Sequence, residues 1–119
     1  MRENLPTKGR RVFSRPRFQA WLEIWKSADE VLADIKARNI KGIPNDCAHC
    51  LVARWIRSYW RAPAYVGNKQ IDIRTDRVRA GFIKFPLPRA LASIVIRFDR
   101  GRWPDLIVDG SADRILPTN

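Results

Sequence analysis

The chain has 119 residues, of which 45% are apolar, and 23 Lys and Arg face 12 Asp and Glu for a formal net charge of +11. That length and apolar share suit one domain with a real core and exclude a disordered chain, which would be poor in apolar and aromatic residues. Two cysteines exclude a disulfide framework, and apolar stretches only a few residues long and broken by Arg exclude a membrane-spanning helix. The basic surplus runs along the whole chain and points to a polyanionic partner, most often nucleic acid.

Residues 1–17 carry Arg2, Lys8, Arg10, Arg11, Arg15 and Arg17 against Glu3 alone, with Pro6, Gly9 and Pro16 between them. They read as a flexible basic arm that orders on binding, or else as a plain solubilising terminus. No apolar h-region of a secretory signal is present, so a reducing, cytoplasmic setting is expected. From Phe18 the pattern turns helical. Phe18, Trp21, Leu22 and Trp25 share one helical face, and the phase continues through Ala28, Leu32 and Ile35. One helix over 16–38 competes with two, because Ser27-Ala-Asp-Glu30 has the form of a capping box. The reading favours a break near Ser27, with the main domain starting there and Gly42 and Pro44 ending the segment.

A second helix is expected from Cys47 to Trp60, capped by Asn45 or Asp46, with Leu51, Val52, Trp55, Ile56 and Tyr59 as its buried stripe. Arg54, Arg57 and Arg61 fall together on another face. After Pro63 the period shortens to two. Residues 64–66, 70–74 and 78–85 read as strands, separated by Gly67-Asn68 and Thr75-Asp76, with Ile71 and Ile73 inward and Asp72 and Arg74 outward. Pro88 suits the first turn of a last helix, whose stripe is Leu91, Ile94, Val95 and Phe98 and whose left-handed stop is Gly101. Trp103 to Ile107 folds back as an apolar lid, and 109–119 reads as a loose tail.

Two stretches carry a resemblance. Cys50-Leu-Val-Ala-Arg-Trp-Ile56 is similar to a Cys-Pro-Leu-Ala-Arg-Tyr-Leu segment of small actinobacterial and actinophage proteins. Phe85-Pro-Leu-Pro88, followed by Phe98-Asp-Arg-Gly-Arg-Trp-Pro-Asp-Leu106, resembles their closing segment, and the likeness spans roughly residues 27–107. Leu51 stands where those proteins have Pro, Cys47 and His49 have no counterpart, and the basic arm is an extension. The resemblance implies a compact α+β unit of phage or mobile-element origin and implies no activity.

Cys47-Ala-His-Cys50 invites a redox or zinc reading. A thioredoxin-like site needs a strand entering the helix, and the approach here is Gly-Ile-Pro-Asn. A structural zinc site wants four ligands, and the chain holds two Cys and one His. Core packing of Cys50 and space-filling by Cys47 are the simpler reading. There is no Gly-rich phosphate loop, no nucleophile beside a base and no paired carboxylates, so neither an enzyme nor a cofactor is expected. Asp99 and Asp105 read as ion-pair partners of Arg100 or Arg102.

The expected fold is α+β: two N-terminal helices, a three-stranded antiparallel meander and a covering C-terminal helix, with or without an extra helix in front. It divides into an arm (1–17), one domain (18–108) and a tail (109–119). The leading expectation is a non-enzymatic nucleic-acid-binding accessory protein whose phosphate contacts come from Arg10, Arg11, Arg15, Arg17, Arg54, Arg57, Arg61, Arg74, Arg77 and Arg79. The alternative is a module that docks on a host or acidic protein through Trp21, Trp25 and Trp60, steered by the basic surface. Core packing is the simpler reading for Trp21 and Trp25; Trp60, beside Arg61, is the best candidate for an exposed aromatic. DNA, RNA and protein partners, and the oligomeric state, stay open.

Overall fold

The computed structural model describes residues 10–75 and 81–109. Within them lie four α-helices and one three-stranded antiparallel sheet, a mixed α+β layout. Residues 1–9 of the expected arm, Arg77, Arg79 and residues 110–119 of the expected tail lie outside the described residues.

Helix α1 (Arg15–Ile24) opens on Ser14, whose hydroxyl accepts from the Arg17 N–H at 3.3 Å. Helix α2 (Ala28–Ala37) follows after a break, so residues 16–38 form two helices. The break is chemical in origin. Ser27 Oγ accepts from the Glu30 N–H at 3.2 Å, and Glu30 Oε1 accepts from the Lys26 N–H at 2.6 Å, one residue ahead of the cap. The stop expected at Gly42 and Pro44 comes earlier, at Asn39, which takes φ 58°. The Ile40 N–H reaches Ile35 O and the Asn39 N–H reaches Lys36 O, the two bonds of a Schellman ending. Gly42 has a different task. A Cβ there would lie 2.3 Å from the Leu51 nitrogen, so the loop crosses the next helix where only glycine fits.

That helix, α3 (Leu51–Tyr59), is shorter than expected. Neither Asn45 nor Asp46 caps it. Asp46 Oδ1 is already engaged, accepting from the Ala48 and His49 N–H groups at 3.1 Å each, which folds 46–49 into a turn. Cys50 takes the cap position, its Sγ accepting from the Ala53 N–H at 3.4 Å. Strands β1 (Ala64–Val66), β2 (Gln70–Arg74) and β3 (Phe82–Pro86) pair in that order, with Ala64, Ile73 and Ile83 in one cross-strand row and Val66, Ile71 and Phe85 in another. Helix α4 (Arg89–Asp99) buries Leu91, Ile94, Val95 and Phe98, as its spacing requires, and packs on α2 and α3. Pro88 is its N-cap, and Gly101 at φ 92° closes it with an Arg102 N–H to Arg97 O bond. A short 3-10 turn, Pro104–Leu106, then brings Ile107 beside Gly42, and Leu106 and Ile107 are buried.

An aromatic seam joins the helices to the sheet. Trp21 lies 4.8 Å from Trp55 and 5.0 Å from Tyr59, ring centre to ring centre, while Phe18 lies 4.8 Å from Phe85. Asp34 fastens α2 to α3 beside the seam: its Oδ2 accepts from Trp55 Nε1 at 2.8 Å and from the Tyr59 hydroxyl at 2.6 Å. Among the described residues no helix is long and apolar enough to cross a membrane.

Candidate functional site

Residues 10–12 run parallel to the exit of α3. The Arg11 N–H donates to Tyr59 O at 2.7 Å, and Arg11 O accepts from the Arg61 N–H at 2.8 Å. Phe13 then inserts its ring against Phe18, Trp60 and Phe85. Residues 10–17 therefore belong to the folded unit, and the domain boundary expected at Phe18 moves forward. An aromatic residue inside a basic run was enough to anchor it. The 61–63 stretch beside it is in turn tied to the sheet, because the Arg74 N–H donates to Pro63 O at 3.0 Å.

These two ties gather arginines from three parts of the sequence around residues 61–63. One cleft, of about 560 Å³, has Val12, Phe13 and Ile83 among its apolar walls and Arg15, Arg61 and Arg74 as its charges. A second, also about 560 Å³, lies across the same 61–63 ridge and is flanked by Arg10, Arg57, Arg61 and Tyr65. No Asp or Glu lines either cleft among the described residues. Two of the guanidinium groups are under-used. The Nε atoms of Arg10 and Arg57 are buried and have no hydrogen-bond partner, as has the Thr75 hydroxyl in the first cleft. Buried donors of this kind are normally paired. Several planar guanidinium forks, each of a shape that can meet two oxygens, thus line the clefts, and no carboxylate lines them among the described residues.

The remaining expected residues distribute differently. Arg54 faces away to the Lys41 carbonyl, which it meets at 3.3 Å. Arg61 lies past the end of α3, so the expected helical ridge of Arg54, Arg57 and Arg61 does not form; Arg57 and Arg61 meet across the second cleft instead. Arg57 also donates to Ala64 O at 3.3 Å. Arg11 is exposed, with its guanidinium 5.7 Å from the centre of the Trp60 ring, and Arg17 is exposed on α1. Trp60 itself is 1% exposed and Trp21 3%, so the expectation of an exposed Trp60 is corrected. The tail of α3 turns inward at that point because the 10–12 segment covers it. Trp25 is half-buried against Trp55 and Tyr59.

Around Cys47 and Cys50 the chemistry is quiet. Cys50 is buried and its thiol is pushed up to about 11, chiefly by burial, which keeps it protonated; Cys47 is exposed. His49 Nδ1 rests on Asp46 Oδ1 at 3.1 Å. Asp99 does not pair with Arg100 or Arg102 among the described residues. Its Oδ1 accepts from the Asn45 N–H at 2.8 Å, and burial raises its carboxyl above the usual range, an effect which that bond partly offsets. Among the described residues no three His, Cys, Asp or Glu side chains gather as a metal site would require.

Sequence reasoning missed a second basic group, Arg97, Arg100 and Arg102 around a concavity of about 230 Å³ beside Ile96. The i, i+3 spacing of Arg97 and Arg100 at the end of α4 was the available signal. It also missed the contact between Tyr65 and Phe82 across the sheet, which depends on strand register. No protein-family model, curated protein or solved structure matches the chain.

Proposed function

We propose that this is a non-enzymatic nucleic-acid-binding accessory protein that holds the sugar-phosphate backbone in the double cleft. The observation that carries the reading is the convergence of Arg10, Arg15, Arg57, Arg61 and Arg74 on two adjoining concavities that no carboxylate lines among the described residues. Phosphate oxygens supply the compensating charge. Contacts of this type are largely independent of sequence. Arg11, Arg17, Arg77 and Arg79 add to the field that steers the polyanion in. The resemblance to actinophage proteins fits a phage or mobile-element role in the cytoplasm. Docking on an acidic protein remains the alternative, but two of its expected anchors, Trp21 and Trp60, are core residues.

The test is fluorescence anisotropy of labelled DNA and RNA over a range of salt concentrations. Binding should weaken steeply with salt, the logarithm of affinity falling with a slope of about −0.7 to −0.9 for each phosphate engaged. Arg61→Glu, which touches both clefts, should weaken binding at least tenfold, as expected for losing one charge-assisted contact of about 1.5–3 kcal/mol. Absence of binding at low salt to every DNA and RNA tried would reject the proposal and send the search to acidic proteins by pull-down.

A further inference from the structure

The double cleft explains the arginines and leaves the solvent face of the sheet unexplained. Alternation sends Ile71, Ile73 and Phe85 inward, and it places Tyr65, Asp72 and Lys84 in one outward row and Arg74 and Phe82 in the next. Phe82 is 41% exposed. From the two edge strands, the Tyr65 and Phe82 rings meet over β2 with centres 5.7 Å apart and planes at 72°. An edge-to-face contact uses the face of one ring only, so aromatic surface stays open to solvent. Tyr65 also lines the second cleft, and the Arg57 guanidinium lies 5.8 Å from its ring centre. The aromatic pair is therefore continuous with the arginines.

We infer that this face is a base-stacking platform and that the preferred ligand is a single-stranded nucleic acid. The inference rests on the proposed function and narrows its substrate class. A phosphate backbone alone would need only the clefts. The exposed Phe82 ring and the half-buried Tyr65 ring beside them add a π-surface that any base can stack on, provided the base is not already paired and stacked in a duplex. Charge fixes the path of the strand. Arg74 and Lys84 flank the rings, but Asp72 sits between them in the middle of the face, held by Gln70 Nε2 at 2.7 Å. A carboxylate there repels phosphates and accepts from base amino groups. The backbone accordingly runs along the Arg10, Arg57 and Arg61 side, and the bases lie across the sheet.

Three labelled probes of equal length separate the outcomes: a single strand, its duplex, and an abasic single strand with the same phosphates and no bases. Wild-type protein should bind the single strand about tenfold or more tighter than the other two. Phe82→Ala, which lies outside both clefts, should weaken single-strand binding roughly fivefold to a hundredfold and leave duplex binding within about twofold. Equal binding of all three probes, or indifference to Phe82→Ala, overturns the platform while the backbone-binding function stands. No binding of any probe at low salt overturns both. The abasic comparison uses unaltered protein, so it holds even where a variant misfolds.

Discussion

Asp34 shows how much one side chain carries when its acceptor is shared. Its Oδ2 receives Trp55 Nε1, the Tyr59 hydroxyl and Arg38 Nε, the last at 3.2 Å, while the Arg38 guanidinium lies 3.6 Å from the Tyr59 ring centre. Removing the carboxylate leaves the indole and phenol donors without a partner in a half-buried site. Asp34→Ala should therefore cost about 2–4 kcal/mol, and Asp34→Asn, which keeps an acceptor oxygen, about 1 kcal/mol. Urea unfolding measures both; a loss below about 0.5 kcal/mol for Asp34→Ala would mean water replaces the carboxylate. The same cluster sets a pH limit. Burial first, and the hydrogen bond to Asp34 next, push the Tyr59 hydroxyl up to about 12 from its ordinary 10. Below pH 10 the phenol is neutral folded and unfolded, and its contribution to stability is fully present. As pH rises from 10 to 12 the unfolded chain ionises first, and that contribution is lost. A spectrophotometric titration of Tyr65→Phe, which leaves Tyr59 as the one tyrosine, should show ionisation near 12 in the folded protein and near 10 in denaturant.

Elements were legible where local chemistry decides them. The Ser27 capping box, the strands at 64–66 and 70–74, the α4 stripe and the Gly101 stop all follow from residues within one or two turns of each other. What the sequence hid depends on distant partners. Gly42 reads as a helix stop, and its actual constraint is the backbone of Leu51. Asp46 reads as a cap, and it is consumed by its own turn. Phe13 sits in a basic run, and its ring belongs to the core seam. The arginine clefts are a similar case: the residue types were visible, but Arg10 and Arg57 share one cleft and Arg74 lines its neighbour only because residues 10–12 pair with 59–61 and Pro63 accepts from Arg74. Asn39 offers a direct test of an element boundary. Its side chain makes no hydrogen bond to the described residues, so its value lies in tolerating φ 58°. Asn39→Ala should lower stability by about 1–2 kcal/mol, whereas Asn39→Gly should stay within about 0.5 kcal/mol of wild type. Equal losses for the two would point to a lost side-chain contact instead of backbone strain.

At the scale of the whole molecule, a net charge of +11 on 119 residues is a standing repulsion, and the double cleft concentrates it. Arg61 is exposed, belongs to both clefts and has no carboxylate partner among the described residues. Such a residue is unfavourable for the free protein and favourable only when a polyanion is present. The two effects can be separated experimentally. In thermal melts at low ionic strength, Arg61→Glu should raise stability by about 0.5 kcal/mol, roughly 2–3 °C for a domain of this size. The gain should shrink with added salt, as the screening length falls from about 30 Å at 0.01 M to about 3 Å at 1 M. Arg54→Ala is the matched control. Its guanidinium holds the Lys41 carbonyl, so its loss should not stabilise the fold at any ionic strength. Adding nucleic acid should reverse the order, raising the melting temperature of wild type more than that of Arg61→Glu, since a ligand stabilises in proportion to its affinity for the folded state. A variant more stable alone and less stabilised by the ligand is the signature of charge kept for binding; an Arg61→Glu protein less stable at low salt would place Arg61 in the architecture of the 61–63 ridge.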